Sequence, residues 1–169
     1  MGVAKFLKKY CVKNNYGSFH KFAIVFCVVF SGAASAQNTS WVDALTWAHD
    51  ISEKNPGFKR SVMKLYDTDS RAKCFQVSID IGIRQRAGAQ LPDEWVARAA
   101  LFNEGSMTYN LESLKSASDK IGFLAESDKA NDKYQAIRVS GAVREMATYF
   151  GECNALLEKI FADAKMFGY

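Results

Sequence analysis

Two cysteines, Cys74 and Cys153, do most to limit what this chain can fold into, because a bond between them ties the middle of the chain to a point near its end. The other two, Cys11 and Cys27, fall in a different kind of sequence. Residues 1–36 hold five lysines (Lys5, Lys8, Lys9, Lys13, Lys21) and no acidic residue, then the apolar run Phe22–Phe30 and the small-residue stretch Ser31–Ala36. A basic start, a short apolar stretch and Ala34-Ser35-Ala36 form the pattern of a cleavable signal peptide. Crossing a bilayer core takes about 20 apolar residues, and this run stops well short. Val25 and Phe26 stand where a lipidation site at Cys27 would need small residues. The expected mature chain is residues 37–169, and the compartment is expected to be periplasmic or extracellular, with the membrane involved only through the leader during export. Cys74 and Cys153 then remain as an even pair in an oxidising environment, which predicts a disulfide between them.

Removing the leader also changes the electrostatics. The whole chain has 22 basic and 18 acidic residues, a net +4; 22 − 5 = 17 basic residues then face the same 18 acidic ones, a net −1. The basicity belongs to targeting. Lys59, Arg60, Lys64, Arg71, Lys73, Arg84 and Arg86 are spaced singles that read as a solvated helix face, not as a nucleic-acid footprint. No nucleic-acid partner is expected.

The mature length suits one domain with its own core. Ser40 is placed to cap a first helix, with Trp41, Ala44, Leu45, Ala48 and Ile51 forming its apolar stripe until Asn55-Pro56-Gly57. A second segment runs from Phe58 to Ile83. Within it Phe75, Val77, Ile79, Ile81 and Ile83 alternate with polar or small residues, the period of a strand. No second strand-like run exists to pair with it, and a lone strand leaves its backbone groups unsatisfied, so a helix with Cys74, Val77 and Ile81 inward is expected. Pro92, Asp93 and Glu94 suit the start of a third segment. Its face carries Trp95, Ala99 and Phe102, continued by Leu111, Leu114, Ile121 and Leu124 after a kink or break at Gly105-Ser106. Residues Asp128 to Asp132 read as a connection. The last helix, from Tyr134 to Phe167, has the clearest period and is expected to run about 35 residues. Gly141 and Gly151 within it suggest close helix approach.

The resulting expectation is an all-α, four-helix-bundle-like single domain. In a simple square bundle, helices two and four lie on a diagonal. A disulfide needs Cα atoms roughly 4.4–6.8 Å apart, so the bond between helices two and four should distort the square.

No catalytic chemistry stands out. His49 is the only histidine after the leader; a nucleophile–base site would have to use it, and no G-x-S-x-G motif is present. His49 and Glu53 are one turn apart, two ligands where zinc wants four. Covalent haem attachment through C-x-x-C-H is absent, and Met146 and Met166 stand at the wrong heights for axial ligation with His49. Neither an enzyme nor a metal or cofactor site is expected. Trp47 points away from the first helix's stripe, either as an exposed anchor for a partner or as a cover for the core's edge. The leading functional expectation is an exported protein-interaction module such as an inhibitor, an immunity protein or an assembly accessory. The alternative is a small-ligand or cofactor carrier using the aromatic-rich bundle interior.

Overall fold

Residues 39–165 are described by a computed structural model; residues 1–38, with the expected leader and its expected cleavage position at Ala36, and the last four residues lie outside the described residues. The described chain is all-helical: α1 (Trp41–Lys54), α2 (Pro56–Leu65), α3 (Thr68–Arg86), α4 (Asp93–Ser116), α5 (Lys120–Val139) and α6 (Val143–Asp163).

Each start has a chemical cause. The Ser40 hydroxyl accepts from the Asp43 backbone N–H at 3.1 Å, opening α1. Its buried residues, Trp41, Ala44, Ala48 and Ser52, form one stripe. Asn55 ends α1 and starts α2, its Oδ1 accepting from the N–H groups of Gly57 and Phe58 at 3.0 and 3.2 Å with Pro56 in the first turn. These are orphan donors that a new helix must satisfy.

Where three long segments and one shorter one were expected, six helices form among the described residues. The second segment breaks at Tyr66, whose backbone is extended, and Asp67 caps α3 by accepting from the Ser70 N–H at 2.6 Å. Gly105-Ser106 makes no break: α4 runs straight through, both residues are buried, and Ser106 returns its hydroxyl to the Phe102 carbonyl at 2.7 Å. The connection comes later, at residues 117–119, and Asp128 to Asp132 lies inside α5. The last helix is divided at Gly141, whose φ of +73° is left-handed and ends α5.

The run from Cys74 to Ile83 is helical, as expected. Its alternation has a positional origin. Helix α3 lies at the centre, packed on α4, α5 and α6 and touching α1, so Phe75 and Ile79 are half-buried beside the inward stripe of Cys74, Val77 and Ile81, while Ile83 near the helix end is exposed. Gly82 shows how close one approach is: a Cβ there would stand 2.6 Å from Cε2 of Trp41. Gly141 and Gly151, by contrast, have nothing within 4 Å of an added Cβ, so neither marks close helix packing.

The hydrophobic core draws Trp41, Ala44 and Ala48 from α1, Phe58 and Val62 from α2, Cys74, Val77 and Ile81 from α3, Val96 through Phe102 in part from α4, and Met146, Cys153, Leu157 and Ile160 from α6. None of its fully buried members comes from α5. Cys74 and Cys153 meet inside it, linking α3 to α6 with Cα atoms 5.6 Å apart.

Candidate functional site

The residues singled out from the sequence lie in separate places. Cys74 and Cys153 are each 1% exposed. Trp47 is half-buried and packs against the core, which places it at the core's edge. His49 is exposed on α1, its Nδ1 3.5 Å from Oε1 of Glu104; Glu53 pairs instead with Lys59 at 2.6 Å. Among the described residues no three metal-ligating side chains come together, and no helix is long and apolar enough to cross a membrane.

The densest chemistry lies along the seam between α3 and α5. Arg71 is fully buried. Its Nη1 donates to Oδ1 of Asn131 at 2.8 Å, and its Nη2 to the carbonyl and hydroxyl of Ser127 at 2.9 and 2.7 Å. Nε has no hydrogen-bond partner. Burial pulls the guanidinium's pKa down, with Tyr109 and Asp128 opposing; an arginine stays charged even so. The sequence placed Arg71 on a solvated face. Helical spacing carried the contrary signal, because Arg71 shares a stripe with Cys74, Ser78 and Ile81 at i+3, i+7 and i+10.

Beside it, Asp69 accepts from Lys133 Nζ at 2.8 Å and from the Tyr134 hydroxyl at 2.5 Å. Lys73 donates to Glu152 at 2.7 Å and lies 5.8 and 5.6 Å from the ring centres of Tyr134 and Tyr149, which themselves meet edge to face at 5.4 Å. Partial burial raises the Asp69 carboxyl, but the hydrogen bonds from Lys133 and Tyr134 outweigh it and hold the group below its ordinary value. Its bond to Asp69 is the main cause raising Lys133. Desolvation lowers Lys73, and the Glu152 bond together with the charges of Tyr134, Glu152 and Asp69 more than reverses that. Burial, then Asp69, raises Tyr134. The shifts of Asp69, Lys73, Lys133 and Tyr134 carry those groups further from neutrality, whereas acid–base catalysis favours a pKa near the working pH. This seam is built to hold two helices together.

Large apolar side chains are exposed elsewhere, near the turn between α4 and α5. Met107 and Leu111 on α4 are 44% and 53% exposed, and Ile121 and Leu124 on α5 are 82% and 46% exposed, on either side of the turn at 117–119. The sequence assigned Leu111, Ile121 and Leu124 to a core stripe. They fail to reach the core because α4 ends at Ser116 and α5 docks on α3 through its polar face. Lys115 and Glu112 pair at 2.7 Å on the same part of α4, giving the apolar side chains a charged border.

Comparison with protein families, curated proteins and solved structures found no match.

Proposed function

We propose that this chain is an exported, disulfide-closed helical domain that binds another protein through the α4–α5 hairpin. The role belongs with inhibitors, immunity proteins and assembly accessories. Its core is read as four-helix-bundle-like, with the α1–α2 arm, α3, α4 and α6 as the four members and α5 laid outside. The leader pattern and the adjacent buried cysteines support export into an oxidising compartment.

The observation that carries the binding reading is the exposure of Met107, Leu111, Ile121 and Leu124 within one hairpin. A large aliphatic side chain left in water forgoes roughly 1.5–3 kcal/mol of burial, and apolar side chains grouped beside charged ones are the makeup of an interface core and rim. The aromatics on which a carrier would rely are engaged with one another instead: Trp95 and Phe102 with Phe150, Tyr66 with Tyr109, Tyr134 with Tyr149.

The test is affinity capture from the source organism's envelope fraction with three forms of the mature domain. Wild type and Val42→Asp, which alters a 67% exposed residue on α1, should retain a stoichiometric protein partner. The double variant Leu111→Asp/Ile121→Asp should lose it. Retention by the double variant removes the hairpin from the reading, and a co-purifying small molecule in place of a protein favours a carrier.

A further inference from the structure

We propose that α5 is a strap that opens as a unit about the turns at its two ends, and that opening uncovers Arg71. Helix α5 buries little of itself. Its buried residues are Ser127 and Tyr134, and among its apolar side chains Ile137 is the one that reaches the core's edge. The rest of its attachment to α3 is polar: Arg71 to Ser127 and Asn131, Arg138 Nε to Gln76 Oε1 at 2.9 Å, and Lys133 and Tyr134 to Asp69. On opening, water takes the place of each of these partners, so each bond contributes net only a fraction of its strength in isolation. Helices α3 and α6, by contrast, share the core and are joined through Cys74 and Cys153. Elements with few buried apolar contacts open locally at lower free energy than the elements around them.

The two ends allow such a motion. Residues 117–119 separate α4 from α5, and Gly141, with φ +73° and open space where a side chain would stand, separates α5 from α6. Arg71 supplies a bias. In the closed state its charge is fully buried, takes part in none of the ion pairs among the described residues, and leaves Nε unsatisfied. The Asp128 charge offsets the burial of the guanidinium only in part; a buried charge outside any ion pair is costly to keep from water, and opening returns the donors now bonded to Ser127 and Asn131 to solvent. Because Ile121 and Leu124 ride on α5, opening also rearranges the apolar hairpin; that consequence rests on the proposed binding reading, whereas the opening itself does not.

Hydrogen exchange on the disulfide-intact mature domain tests the motion, and labelling by a 1,2-dicarbonyl such as phenylglyoxal tests the uncovering. Amides of α5 should exchange about tenfold or more faster than those around Cys74 and Cys153. Asp69→Asn, at a half-exposed side chain, should speed α5 exchange several-fold and leave α6 unchanged. Wild-type Arg71 should be labelled at the α5 opening rate, and the variant should raise that rate by the same factor. Equal protection of α5, α3 and α6, or labelling of Arg71 only at the rate of global unfolding, would overturn the proposal.

Discussion

Breaking the Cys74–Cys153 bond should lower stability without dissolving the fold. The bond closes a separation of 79 residues, for which the chain-entropy relation gives about 4.5 kcal/mol of stabilisation, acting by restricting the unfolded chain. The native state has less to lose, because both cysteines are 1% exposed in a core that also holds Val77, Phe102, Leu157 and Ile160. A domain of this size shifts its midpoint by roughly 2–4 °C per kcal/mol, so the full effect lowers Tm by roughly 9–18 °C. Residual structure in the reduced unfolded chain would bring the loss to about half of that. The assay is a thermal melt followed by far-ultraviolet circular dichroism, on oxidised protein, on protein reduced chemically, and on Cys74→Ala/Cys153→Ala. Reduction keeps both sulfurs in place and isolates the cross-link; the double variant adds a small packing loss. Helical signal at low temperature should be nearly the same in all three. A shift below about 2 °C on reduction, or collapse of the helical signal at low temperature, would refute this reasoning.

Gly82→Ala should destabilise by about 1–3 kcal/mol, because its Cβ would fall 2.6 Å from Trp41, whereas Gly151→Ala, open on the surface of α6, should stabilise by about 0.4–1 kcal/mol; urea melts of the two variants should move in opposite directions. Asp69 is held below its ordinary carboxyl value, so its contribution is present above the unfolded-state pKa of about 3.9 and is lost as pH falls through the lower folded value. Urea midpoints measured below about pH 4 should therefore fall less steeply in Asp69→Asn than in wild type.

Local chemistry made much of the fold legible. Ser40, Asn55-Pro56-Gly57 and Pro92 act where the sequence placed them, since caps and turns depend on neighbouring residues. The helical state of Cys74–Ile83 followed from the want of a partner strand, and the cysteine pair from compartment and parity. What escaped depends on distant packing. Gly105-Ser106 reads as a break until Tyr66 and the Arg71 carbonyl are known to lie against it. Residues 128–132 read as a loop because a helix docked by hydrogen bonds has no apolar stripe to show. The same cause hid the candidate surface: Leu111, Ile121 and Leu124 keep a helical period, and period alone does not reveal which stripes find a core. Trp47 lies off the stripe as its wheel position indicated, yet its ring still packs on the core's edge.

Export into an oxidising compartment is the premise of the binding reading, and the intact mass of the protein recovered from the envelope fraction tests it most directly. The expected mass is that of a chain beginning at Gln37, lighter by two hydrogens than its dithiol form and unreactive to thiol reagents until reduced. Retention of residues 1–36, or two thiols that react without reduction, would contradict it.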